Sequence, residues 1–174
     1  MKQTWRFLLI PLALMLVLVG CASPEEQAAE GVRQAAAQLE ESPQKPNEKI
    51  GDYSVFLPGG YTVEAGSEAP NVLLENDNDT YVLFINDNEP ATSRLYYDLL
   101  VSDPSKEIVE EETNELSNQF GFAAVVEHSD EQFELIVSRG GIKLSTVTDD
   151  GSIDKKLLEM MQIVHSFKSE EGSK

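Results

Sequence analysis

The chain has 174 residues, of which 31 are Asp or Glu and 13 are Lys or Arg, giving a formal net charge of −18. A charge of that sign repels phosphate backbones and anionic headgroups, so it excludes a nucleic-acid binder and a protein held on a membrane by its own surface. The single cysteine, Cys21, excludes an intramolecular disulfide.

The first twenty residues have the texture of an export signal. Lys2 and Arg6 form a short basic start, and Phe7 to Val19 is apolar apart from Pro11. That run is too short to span a bilayer, which takes roughly 20 residues. The leader holds two cations and no acid, so the chain without it stands at −20. The apolar run ends in Leu18-Val19-Gly20-Cys21, which resembles the lipobox of bacterial lipoproteins. The resemblance implies cleavage before Cys21 and a diacylglycerol thioether on its sulfur. It also implies a place on the extracytoplasmic face of a bacterial membrane. Two acyl chains anchor stably where one does not. The alternatives are an ordinary secretory signal with a chance cysteine, or an uncleaved anchor.

Residues 21–49 read as a tether. The stretch has no aromatic residue and is rich in Ala, Glu and Gln, which suits a helix from about Pro24 to Glu41. Val32 and Leu39 are its only sizeable apolar residues in that span, too few to dock a helix firmly, and Gly31 weakens it further. Pro43 and Pro46 end it. The expectation is a partly helical, mobile spacer, with a reach of about 30 Å as a coil.

Residues 50–168 read as a folded domain, followed by a polar, disordered tail over 169–174. Tyr53 to Leu57 alternates as a strand, and Pro58-Gly59-Gly60 turns into a second strand at Tyr61. Val72 to Leu74 and Tyr81 to Ile85 are short apolar runs, the second aromatic and β-branched enough for a buried central strand. Leu95, Tyr97, Leu99 and Val101 alternate as a further strand. Asp103 then caps a helix with Pro104 at its first position. Its stripe is Ile108, Val109, Leu116 and Phe120, and Gly121 closes it. Phe122 to Glu127, Phe133 to Val137 and Ile142 to Thr148 form a meander, with Gly140-Gly141 as a tight hairpin. Ile153, Leu157, Met161 and Val164 form the apolar face of a last helix behind Ser152.

This order predicts an α+β domain, a mostly antiparallel sheet with two helices packed on one face. Leu57-Pro58 followed by Tyr61, the helix after the central strands, the meander and the closing Ser166-Phe167-Lys168 resemble the PsbP-like fold. What that resemblance implies is a non-enzymatic accessory or assembly protein. It assigns no binding residue.

The chemistry-bearing residues are sparse. His128 and His165 have no neighbouring His or Cys at ligand spacing, which argues against a zinc site. No nucleophile elbow, phosphate-binding glycine loop or H-E-x-x-H motif is present. Asn76-Asp77-Asn78-Asp79 is echoed by Asn86-Asp87-Asn88-Glu89, and alternating oxygen side chains suit calcium. Asp77, Asp79, Asp87 and Glu89 are therefore the metal candidates. They lack the glycine and closing Glu of an EF-hand, and an intervening strand puts the two loops some 20 Å apart. Asn and Asp are also turn formers, which is the preferred reading. Ile50 to Ser93 contains eight acids and no Lys or Arg. Gathered on one surface they would suit a basic partner or divalent cations, and scattered they serve solubility.

The expectation is therefore a lipid-anchored, non-catalytic accessory module that contacts an envelope protein and needs no cofactor. The alternative is a binding module for a divalent cation or small envelope ligand on its acidic surface.

Overall fold

The computed structural model describes residues 23–129, 132–149 and 151–170. The leader and Cys21 lie outside the described residues. The architecture is α+β, with a seven-stranded antiparallel sheet, a small three-stranded sheet and helices on both faces of the large sheet.

The first helix, α1, covers Pro24–Ala37 and runs into a 3₁₀ turn at Gln38–Glu40. Its start is fixed by a capping box. Ser23 Oγ accepts from the Glu26 N–H at 3.2 Å, and the Glu26 carboxylate accepts from the Ser23 N–H at 3.0 Å. Pro24 sits in the first turn with Glu25 and Glu26, where acids complement the helix dipole. One side of α1 is buried: Ala28, Gly31, Val32, Ala35 and Ala36, continued by Leu39.

This corrects the expectation of a mobile spacer. Large apolar side chains are few in this stretch, and the buried face is built largely from alanine instead. Small residues allow a close approach, and Gly31 carries it furthest. A Cβ at Gly31 would lie 2.8 Å from Asp154 Cα and 2.9 Å from Leu157 Cδ1.

The strands follow as β1 (Glu48–Ile50), β2 (Tyr53–Val55), β3 (Thr62–Val63), β4 (Asn71–Asn76) and β5 (Asp79–Ile85). Helix α2 (Leu95–Ser102) comes next. After it are β6 (Glu107–Leu116), β7 (Gln119–Ser129), β8 (Gln132–Arg139) and β9 (Ile142–Thr148). Helix α3 (Ile153–Ser166) and the short β10 (Lys168–Ser169) close the fold. The large sheet has the order β3-β4-β5-β9-β8-β7-β6, and β1-β2-β10 form the small one.

Two assignments are exchanged relative to expectation. Residues 95–102 form a helix, because Tyr96, Tyr97 and Leu100 make a face at helical spacing that packs on Phe120, Phe122 and Ile136. Residues 107–116 form a strand instead of the expected helix. There Glu111 pairs with Ala124 and Thr113 with Phe122 along β7, and a bulge lies between Ile108 and Glu110. Ser117-Asn118 is the two-residue turn between the strands. Gly121 is no helix cap. It lies in β7 beneath the first helix, where a Cβ would come within 2.5 Å of Leu39 Cδ1.

The main core lies between the sheet and the layer formed by α1 and α3. Val72, Leu74, Tyr81, Leu83, Val125, Leu135, Val137 and Leu144 meet Leu157, Met160, Met161 and Val164 there. The two helices of this layer are thus α1 and α3, and the third helix, α2, covers part of the opposite face. Residues 168–170 are also more ordered than the tail expected there, the rest of which lies outside the described residues. β10 pairs with β2, and Glu170 accepts from Ser54 Oγ at 2.6 Å and pairs with Lys49 at 2.9 Å.

Candidate functional site

Because side chains alternate along a strand, each residue's face follows from its neighbours. Tyr81, Leu83 and Ile85 of β5 point into the main core, so Val82 and Phe84 point to the α2 side. Lys143, Ser145 and Val147 of β9 do the same, with Val82 opposite Ser145 and Phe84 opposite Lys143. Helix α2 covers this face over β6 to β8, with Tyr96 alone reaching β5 and β9. Beyond its edge the sheet is open.

At that edge lies a cavity of about 210 Å³. Tyr96, Leu99, Leu100 and Ile136 supply its apolar wall, and Lys106, Lys143, Asp103 and Glu134 its charges. Lys106 is ion-paired with Glu134. Lys143 lies 5.6 Å from the Tyr96 ring centroid and has no carboxylate partner among the described residues. Phe84 meets Tyr96 edge-on at 6.0 Å, which ties the helix to the open part of the sheet. All the exposed large apolar side chains among the described residues belong to this side or to its helix: Val82, Leu99 (57% exposed), Val101 and Val147. Nothing in the sequence pointed here, because 95–101 read as a strand. The pairing of Tyr96 with Leu100, four apart, was the available signal.

A second cavity, about 220 Å³ and polar, lies between the β4–β5 hairpin and the start of α3. Asp77 and Asn78 form the hairpin loop, with Asp77 at a φ of 53°. Asp79 is ion-paired with Lys156, which is buried and also donates to Thr148 Oγ1 at 2.7 Å. Behind them the rings of Tyr61 and Tyr81 lie 5.1 Å apart. Burial pushes the Tyr61 hydroxyl up to about 12 and raises that of Tyr81 as well.

The structure does not bring the calcium candidates together. Asp77 and Asp79 sit at one end of β5, and Asp87 and Glu89 follow its other end. Asp87 accepts a hydrogen bond from the Tyr53 hydroxyl, and Glu89 accepts one from Ser93. Asn86 Oδ1 accepts from the Asn88 N–H at 3.1 Å, the closure of an Asx turn. No group of three or more His, Cys, Asp or Glu among the described residues is arranged to hold a metal ion. Of the acids of residues 50–93, Asp77 and Asp79 thus lie at one end of β5 and Asp87 and Glu89 beyond the other.

The histidines are apart. His128 is exposed on β7, and His165 is buried in the last turn of α3. Burial lowers the His165 pKa. The charge of Arg139 adds to that, against a hydrogen bond to the Gln38 backbone that favours the charged form. Arg139 donates to the carbonyls of His165 at 2.8 Å and Phe167 at 3.0 Å, satisfying backbone groups left open at the helix end.

No known family model matches the chain, and no curated protein matches it by sequence. Among solved structures it is similar to the solution structure of cyanobacterial PsbP from Synechocystis sp. PCC 6803. That similarity has 14% sequence identity and a TM-score of 0.42, over 72% of this chain and 91% of the other. The likeness gives no residue of this chain a role. No helix among the described residues is long and apolar enough to cross a membrane.

Proposed function

We propose that this chain is an extracytoplasmic bacterial lipoprotein, anchored through lipid on Cys21, that acts as a non-catalytic accessory module for an envelope protein. The observation that carries the interaction role is the open face beside α2. Its exposed Leu99 borders the cavity together with Lys143, which has no carboxylate partner among the described residues, and Val82 and Val147 lie exposed on the sheet beside it. Apolar patches gathered at one place on a small domain mark docking surfaces. The partner that fits is a protein segment presenting apolar side chains beside a carboxylate, which would meet Lys143. In a chain with this excess of acid, a lysine without a carboxylate partner among the described residues, set beside this apolar face, sets the sign of its partner.

The anchor reading is supported by the basic start, the short apolar run and a lone cysteine in lipobox position. A photo-crosslinker placed at Val82 in the living cell should yield one dominant adduct. A crosslinker at Arg33, on the opposite layer, should yield none. The adduct should be lost in Cys21→Ala and in Leu99→Glu. An equal pattern from both positions, or adducts indifferent to Leu99→Glu, would overturn the docking face. Retention of Cys21→Ala on the membrane would overturn the anchor.

A further inference from the structure

The first turn of α1 lies immediately after Cys21, and the place where α1 docks fixes which end of the domain meets a membrane. α1 and α3 run in the same direction. Gln27 of α1 lies beside Gly151, and Gly31 lies against Asp154 and Leu157 at the start of α3. At their far ends the 3₁₀ turn reaches the other end of the sheet, where Gln119 donates to the Leu39 carbonyl at 2.9 Å and Asn114 to Glu40 at 2.9 Å. The start of α1 therefore shares a pole with the end of β9, the Asp77-Asn78 loop and the start of β8 after Ser129. The opposite pole carries the Ser117-Asn118 turn, the Gly140-Gly141 turn and the loop at Asn86–Glu89.

We infer that the lipidated protein stands directly on the membrane with a fixed end down, the pole of the Asp77-Asn78 hairpin facing the lipid. This rests on lipidation at Cys21. The capping box orders the chain from Ser23 onward, so two residues separate the anchor from a docked helix. Two residues reach about 7 Å at full extension. A free coil of residues 22–49 would reach about 30 Å and let the domain tumble. The near pole exposes Asp77, Asp149, Glu25 and Glu26. It therefore rests against headgroups without inserting, and anionic lipid would hold it off over about a Debye length, roughly 10 Å at 0.1 M salt. With this end down, the sheet strands stand away from the surface. The open face beside α2 points sideways, along the plane in which a membrane-embedded partner diffuses.

The orientation is read by fluorescence quenching. Once Cys21 carries its thioether, an introduced cysteine is the only free thiol in the chain. Asn78→Cys and Ser117→Cys, both in exposed turns, are labelled with a thiol-reactive fluorophore. The lipidated full chain is then placed in phosphatidylcholine vesicles containing headgroup spin-labelled lipid. β7 alone has eleven residues, so the two labels should differ in height by roughly 30 Å. We expect several-fold stronger quenching at position 78 than at position 117. That difference should vanish when a flexible twenty-residue Gly/Ser insert follows Ala22. Equal quenching without the insert, or stronger quenching at position 117, overturns the orientation. The mass of the N-terminal peptide is measured on the same sample. An unmodified Cys21 there refutes the anchor itself, a failure distinct from a lipidated domain that tumbles.

Discussion

Gly31 is the residue on which two principles give opposite signs. In an exposed helix, Gly→Ala gains about 1 kcal/mol from propensity. Here the added Cβ would meet the Asp154 backbone at 2.8 Å, and a backbone atom cannot rotate away as a side-chain tip can. Overpacking a close contact costs about 1–3 kcal/mol. The packing term should win, so Gly31→Ala lowers the midpoint of thermal unfolding by several degrees. A stabilised Gly31→Ala protein would mean that α1 is not seated on α3. His165 gives a second test at this scale. Its folded pKa lies below the ordinary 6.5 because burial and Arg139 disfavour the imidazolium. Between those values the unfolded chain takes a proton that the native one refuses, so stability falls as the pH drops below about 6.5 and is unaffected above it. Comparing melting at pH 7.5 and 5.5, His165→Gln should lose less than the wild type. An equal loss in both would place the effect elsewhere. The depressed carboxylates Glu30, Asp103 and Glu170 act in a separate window, below their ordinary values near 4.

Whole elements show which signals a sequence carries and which it hides. β5, the β8–β9 hairpin and α3 were legible because one period dominates each. Tyr81, Leu83 and Ile85 alternate, and Ile153, Leu157, Met161 and Val164 recur every three or four residues. Between residues 95 and 120 the periods conflict. Leu95, Tyr97, Leu99 and Val101 alternate as well as any strand, yet Tyr96, Tyr97 and Leu100 are the residues that meet Phe120 and Phe122. β6 is the mirror case. Ile108, Val109, Leu116 and Phe120 suggest a helix stripe, but Glu111 accepts a hydrogen bond from the Tyr97 hydroxyl at 3.1 Å and the backbone pairs with β7 on both sides of the bulge. Non-local pairing decided both elements, and a local pattern does not contain it. The open face beside α2 was hidden for the same reason. Val82 and Val147 are sixty-five residues apart in sequence and share a surface only because β5 pairs with β9. The lipobox-like Leu18-Val19-Gly20-Cys21, by contrast, is a local pattern, and the proposed anchor is read from it alone.

At the scale of the molecule, the question is where the domain begins. If α1 were only a spacer, a chain starting at Ser42 would fold like the full one. Burial argues otherwise. Val32 and Leu39 are each 2% exposed, and Ala28, Ala35 and Ala36 are buried with them. At about 2–3 kcal/mol for each large side chain and about 0.8 for each methyl, α1 contributes on the order of 7 kcal/mol of apolar burial. Domains of this size are stable by about 5–15 kcal/mol in all, so losing α1 removes a large part of the margin. It also uncovers Ala123, Val125, Leu157 and Met161 on the layer that α1 shares with α3 and β7. A chain starting at Ala22 should unfold in one cooperative transition. A chain starting at Ser42 should lose that transition, bind a hydrophobic dye and associate. The readout is calorimetry with dye fluorescence on both forms. A cooperative melt of unchanged midpoint from the shorter chain would return residues 22–41 to the role of a leash. It would also withdraw the reason for expecting a fixed end to face the membrane.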